Sequence, residues 1–297
     1  MNRKDFGQLV ATLRQDLGWT QFKLAEVAEI DEPVISQIER GVKRFLNPEL
    51  LFNLANALQL TSLERREFII AASGLDEQKI VRQASANVKT DVFDFKKVLE
   101  RLIGLTESIR FPAFLTDVYG DVLAANLPMV AFYAVPTDIL ENLSQVPGGY
   151  NIIRANFGRE LLARNRFVDN WDSYALSSMR AFRVNSLRYR AKPYFKYLMN
   201  AFRNPAEYPL FERFWNLVSS TEQDKDTNVD HFSYNHPDYG SLNYLATSMY
   251  AMTSYGELFI VQNIPLDENT EQVFTQLRLD TGRGVVRLAP WPQKTMS

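Results

Sequence analysis

Between residues 3 and 74 apolar side chains recur every three or four positions, interrupted at short intervals by a capping residue or a glycine. Only a bundle of short helices, each burying one stripe, satisfies such a pattern. Phe6, Leu9, Leu13 and Leu17 mark the inner face of a first helix, which Gly18 ends. Thr20 caps a second helix whose Leu24, Ala25, Val27 and Ala28 are expected to turn inward. Asp31 caps a third, with Pro33 in its first turn, where the missing amide has no helical partner to lose. Gly41 stops that helix. A fourth starts near Pro48 and buries Leu51, Leu54, Ala55 and Leu58, and a fifth covers about residues 62–72.

The second and third helices are separated by Glu29, Ile30 and Asp31, the spacing of a helix-turn-helix. At roughly 100° per residue, Val34, Ile35 and Ile38 fall on one side of the third helix. Pro33, Ser36, Gln37 and Arg40 fall on the other. A glutamine there can pair with an adenine edge in a major groove. Arg40, Lys43 and Arg44 follow at the helix end, where phosphates would lie. Bulk charge does not help such an encounter: the chain carries a formal net charge of -2, and its first 75 residues hold nine basic against ten acidic side chains. Recognition must come from a local arrangement.

The runs Thr20-Gln21-Phe22-Lys23-Leu24-Ala25, Ile35-Ser36-Gln37-Ile38-Glu39-Arg40-Gly41 and Pro48-Glu49-Leu50-Leu51 resemble the Xre (phage repressor/Cro-like) helix-turn-helix family. The resemblance implies that Gln21 meets a backbone phosphate and that Glu32, Pro33, Val34 and Gln37 face bases. It places Arg40 and the following loop on phosphates, and it makes Arg14 and Glu39 an internal ion pair between the first and third helices. Where relatives often have glycine in the turn, this chain has Glu29, a cost if that residue is left-handed.

Residues 76–92 are polar and mixed and read as a linker. Beyond them, Phe93, Phe95, Val98, Leu99 and Leu102 recur with helical spacing. Residues 113–126 read as a β-hairpin turning at Gly120. Residues 130–217 are helical in spacing, aromatic and rich in arginine, a charge run expected to lie on a solvated face. Strand-like runs return at 231–234, 242–252 and 256–262, followed by a closing helix over 266–277 and a loose tail from Thr281. The expected architecture is α+β and multidomain: an all-α five-helix domain (1–75), the linker, an α+β domain (93–280) and the tail (281–297).

Pro112-Ala113-Phe114-Leu115-Thr116-Asp117 and Gly120-Asp121-Val122-Leu123-Ala124-Ala125-Asn126 resemble the start of a PAS-type sensor sheet. Asn151 with Arg154 and Phe157, Asn170-Trp171, Phe182-Arg183, residues 211–215 and His236-Pro237 with Gly240 are similar to the MmyB-like ligand-binding domain. That domain commonly follows an Xre-type helix-turn-helix, and the resemblance implies a PAS-like fold that senses a small molecule. Phe114, Phe132, Phe157, Trp171, Met179, Phe182, Phe202, Tyr244 and Met249 exceed what a minimal core requires and would suit an apolar cavity. A fatty acid is the ligand expected there, with Arg183 anchoring its carboxylate.

Other chemistry finds little support. There is no cysteine, hence no thiolate nucleophile and no disulfide. His231 and His236 stand at odd spacing in a strand, on opposite faces, so no metal is expected. HExxH, GxxxxGK[ST] and GxSxG are all missing from the sequence. No apolar run approaches the ~20 residues of a membrane helix. The reading is a cytoplasmic regulator, not an enzyme and without a cofactor. It binds a two-fold double-stranded DNA operator as a homodimer, with half-sites roughly 34 Å apart. The rivals are an enzyme acting on an apolar acyl substrate and a protein-binding adaptor that never touches DNA.

Overall fold

The computed structural model describes residues 1–73, 94–134, 140–141, 149–159, 171–220, 230–253 and 256–294, so the expected linker lies outside the described residues. The chain divides into two compact units. The first comprises residues 1–90, 183–196 and 216–223; the second comprises 91–182, 197–215 and 224–297.

In the first unit, helices α1 (Arg3–Asp16), α2 (Gln21–Ala28), α3 (Glu32–Glu39), α4 (Pro48–Ala57) and α5 (Ser62–Ser73) surround one apolar core. Phe6, Leu9, Leu24, Ile35, Leu54 and Phe68 fill it, with the Phe6 and Phe68 rings 5.0 Å apart. Asn2, Thr20 and Asn47 each accept a hydrogen bond from a first-turn amide, fixing where α1, α2 and α4 begin. Asp31 holds the equivalent position for α3 without a side-chain cap bond. Glu29 ends α2 in the left-handed region, at φ +55°. Val27 does not turn inward; it is exposed, because the stripe of this two-turn helix is centred on Leu24, Ala25 and Ala28 and Val27 lies roughly 100° off it.

The second unit holds a six-stranded antiparallel sheet: β1 (Ala113–Asp117), β2 (Val122–Asn126), β3 (Asp230–His236), β4 (Gly240–Thr253), β5 (Gly256–Pro265) and β6 (Val285–Arg287), in the order β3-β4-β5-β1-β2-β6. The early hairpin thus sits inside a sheet completed by late strands, with Leu115 opposite both Ala124 and Ile260. Helix α6 (Phe95–Ser108) lays Leu102 and Ile103 on Leu115, Leu123, Leu258 and Ile260. Elsewhere in the unit, α7 (Leu127–Phe132) and α12 (Glu268–Thr281) meet through Phe132 and Phe274, whose rings are 5.4 Å apart. Helices α8 (Ile152–Phe157), α9 (Trp171–Ser186), α10 (Pro193–Phe202) and α11 (Phe211–Ser220) supply further aromatic side chains.

Asp117 folds the hairpin turn, accepting from the Tyr119 and Asp121 amides, while Gly120 adopts φ +78°. Asn126 ties strand ends to helix: its Oδ1 accepts from Ala113 and Met129, and its Nδ2 donates to the carbonyls of Ile109 and Phe111. The tail is not loose. Residues 285–287 pair with β2, Trp291 packs on the α6 side of the sheet, and Lys294 Nζ lies 2.5 Å from Asp117 and 2.7 Å from Asp121. Two buried carboxylates at one turn require a counter-charge, and this lysine provides it.

The arginine-rich stretch also departs from expectation, since Arg154, Arg183 and Arg190 are buried. Arg183 and Arg190 belong to the first unit, together with the 3₁₀ turn Leu187–Tyr189, whose Leu187 joins the helical core. There the Glu64 carboxylate of α5, fully buried, receives Arg183 at 2.9 and 3.0 Å and Arg190 at 2.5 Å. Burial alone would raise the Glu64 pKa, but attraction from Arg190 and then Arg183 prevails and holds it at about 2.

A carboxylate with a depressed pKa contributes stability that is complete above its unfolded value, 4.5, and fades as pH falls toward about 2. Urea denaturation of the full chain should show that acid limb. Glu64→Gln should flatten it while costing about 3–5 kcal/mol at pH 7, because two buried guanidinium groups lose the carboxylate they share.

Candidate functional site

Helix α3 presents its outer face as the sequence predicts. Ile35 and Ile38 are buried, Val34 packs partly against the core, and Glu32, Pro33 and Arg40 are exposed. Ser36 and Gln37 are half-buried on the outward side. Asp31 and Glu32 at the N-terminal end complement the helix dipole. A carboxylate at Glu32 can accept from a cytosine amino group but repels phosphate.

Two features set how α3 lies on α1. One is the Arg14–Glu39 pair: Arg14 Nε and Nη2 donate to the two Glu39 oxygens at 2.6 and 3.0 Å, and Nη1 donates to the Trp19 carbonyl at 2.5 Å. A planar guanidinium gripping a carboxylate with two parallel bonds fixes direction as well as distance. The other is Gly7, unnoticed in the sequence. A Cβ there would stand 2.3 Å from the Ile38 carbonyl oxygen and 2.5 Å from that of Glu39, so the two helices cross at backbone contact. Gly41, at φ +73°, likewise admits the end of α3 against Lys4 and Arg3.

Gln21 Nε2 donates to Glu39 Oε2 at 2.7 Å, so the side chain braces α2 on α3. Beyond α3, the Val42 and Lys43 amides both donate to the Gln37 carbonyl, at 3.0 and 3.3 Å, folding the chain back over the helix end. Arg44 is exposed there and Lys43 half-buried, while Arg40 curls its Nε toward the Ser36 carbonyl.

In the second unit, Phe132, Phe157, Trp171, Met179, Phe182, Phe202 and Tyr244 are all buried, and Phe114 partly so. They fall into two aromatic groups. Phe132 stacks obliquely on Tyr234 at 4.7 Å and edge-on to Tyr244 at 5.4 Å. Phe157 and Trp171 surround Phe214, with Phe182, Phe202 and Trp215 beyond. Met249 is not among them; on β4 it is 52% exposed. Arg183 is not a free anchor for a carboxylate either, because Glu64 and Ser219 occupy its guanidinium within the first unit.

What the sequence reading missed is that tyrosine hydroxyls gather among the rings: Tyr133 bonds Tyr174, and the Tyr244 hydroxyl is buried with no hydrogen-bond partner among the described residues. Burial pushes Tyr133 and Tyr244 well above the ordinary tyrosine range, so both stay protonated and able to donate. Tyrosines recurring in an aromatic segment give no signal that their oxygens converge. His236 is buried and accepts the Asp238 amide at Nδ1, whereas His231 is exposed. Among the described residues no group of three or more His, Asp or Glu is placed to hold a metal ion, and no helix is long and apolar enough to cross a membrane.

Residues 98–277, more than half of the chain, match the family described as MmyB-like transcription regulator ligand binding domain. Residues 10–65 match a helix-turn-helix family. No curated protein matches the chain.

Gly7→Ala should wedge α1 from α3. The expected loss is about 1–3 kcal/mol in chemical denaturation, with weakened DNA binding even under conditions where the variant remains folded.

Proposed function

This chain belongs to the family of transcription regulators with a MmyB-like ligand-binding domain, and from that we propose a mechanism for its DNA and ligand recognition. It is a DNA-binding regulator that joins an Xre-like helix-turn-helix to a ligand-binding domain. In the proposed mechanism α3 enters the major groove of a two-fold operator as part of a cytoplasmic homodimer. Gln37, Ser36 and the first-turn residues Glu32, Pro33 and Val34 meet base edges, while Arg40, Lys43 and Arg44 hold phosphates. The observation that carries this reading is the state of α3. Its apolar side is locked by Ile35, Ile38 and the Arg14–Glu39 pair, and Glu32, Pro33 and Arg40 on its outward side are exposed.

The ligand in this proposal is small and largely apolar, a fatty acid or a molecule of similar shape, taken up among the aromatic side chains of the second unit. Its polar end meets the donor hydroxyls of Tyr133, Tyr174 and Tyr244 in place of Arg183. Binding would act by population shift. Helix α9 carries Trp171, Met179 and Phe182 of the second unit and, next in the chain, Arg183 of the first. The protein performs no chemistry on the ligand and uses no cofactor.

A duplex enriched from a random pool by the full chain provides the test for DNA. Gln37→Ala should lose about 1–3 kcal/mol of discrimination between that duplex and a scrambled one; unchanged discrimination would count for an adaptor that ignores DNA. For the ligand, native mass spectrometry before and after addition of palmitate should show a bound mass that leaves unaltered. A protein that neither retains nor takes up an apolar molecule lacks the proposed pocket, and release of a converted product would mark an enzyme.

A further inference from the structure

We propose that Phe45, a residue with no assigned role, is a second DNA-contacting element: an apolar wedge that packs against the sugars and base edges of the minor groove beside the half-site read by α3. The inference rests on the DNA-binding reading above and extends it to a side chain that recognises neither base hydrogen bonds nor phosphate.

Phe45 is 73% exposed, more than any other large apolar side chain among the described residues, and Val42 in the same loop is 57% exposed. A single exposed apolar residue is ordinary; this one stands on a loop held firmly at both ends. On one side, the amides of Gly41, Val42 and Lys43 donate to the Ile38 and Gln37 carbonyls, and Gly41 abuts the α1 backbone. On the other, Leu46 packs into the core and Asn47 caps α4 by accepting from the Leu50 amide at 2.8 Å. The short span between these anchors has little freedom to fold its ring back, so the exposure is built in.

Charge identifies the occupant. Arg40, Lys43 and Arg44 fall in a stretch, residues 40–48, that contains no carboxylate. The rest of the first 75 residues carries six basic against ten acidic side chains. A polyanion is therefore repelled by most of this surface and drawn to the loop that bears Phe45. Because the loop folds over the carbonyl of Gln37, whose side chain is the candidate base reader, it stands directly beside the recognition face. Minor-groove binders combine cationic side chains with an apolar wedge inserted at a base step, and this loop sets Phe45 directly after Lys43 and Arg44.

The experiment measures binding of the full chain to a 30-bp duplex enriched from a random pool, over a series of salt concentrations. Phe45→Ala should weaken binding about tenfold without altering the dependence of log affinity on log salt, since an apolar contact releases no counterion. Arg44→Ala should weaken binding and reduce that slope by about one. Fluorescence of 2-aminopurine placed beside the half-site should rise on binding the parent and stay lower with Phe45→Ala. Equal affinity of Phe45→Ala and the parent overturns the proposal while leaving the role of Gln37 intact. Loss of self-association by free Phe45→Ala in sedimentation overturns it too, by assigning the ring to a second copy of the chain. If the parent enriches no duplex at all, the DNA-binding reading fails first and this proposal with it.

Discussion

The crossing of α1 and α3 at Gly7 is the contact on which a usable recognition helix depends. An eight-residue helix has too few internal bonds to persist alone, so its position is decided by what it leans on. Backbone carbonyls at Ile38 and Glu39 reach the missing side chain of Gly7, and the two-bond grip of Arg14 on Glu39 then fixes rotation about the crossing. Gln21 adds a third brace to the same carboxylate, relating α2 to α3. Because Glu39 is nearly enclosed, these bonds are shielded from competing water and carry more weight than a surface pair would. Gln37 and Ser36 point outward because of what is held behind them.

Glu64 is a second fixed point, and its chemistry is costly. One carboxylate is shared by two buried guanidinium groups, and desolvating all three works against folding. Such a cluster is poor evidence for high stability. It is better evidence for uniqueness: the segment 183–196 cannot be displaced from α5 without stranding charges, whereas an apolar contact could slide. Leu187, buried in the same core, supplies the apolar part of that attachment. A regulator whose sensing chain must influence a DNA-binding bundle has a use for an attachment that is either made or broken.

The second unit solves a different problem. Its sheet accommodates a hairpin from early in the chain between strands that follow much later, so polar groups at the hairpin ends need partners far along the sequence. Asp117 and Asp121 find Lys294; Asn151 Nδ2 donates to Asp121 and to the Tyr119 carbonyl. Several residues that carry the family resemblance, among them Asn126, Asn151 and His236, are thus buried polar residues that hydrogen-bond within the fold. The ligand hypothesis rests instead on the aromatic side chains and on the tyrosine oxygens that gather among them.

Much of this was legible in the chain itself. Helical spacing with caps at Thr20 and Asp31, a start near Pro48 and stops at Gly18 and Gly41 determined five helices, and the alternation of buried and outward residues determined the faces of α3. Every strand but β6 was also legible, as was the closing helix, because period and turn residues are local signals read within a few neighbours. The sequence could not disclose that Arg183 and Arg190 are buried on Glu64, that a tail lysine completes the hairpin turn, or that Gln21 turns toward Glu39. Each of those outcomes is a pairing of charges or donors more than a dozen residues apart, and residue type alone does not name the partner. Only the tertiary structure decided them, since a charged side chain reads as solvated until the fold withdraws the water and some specific group must take its place.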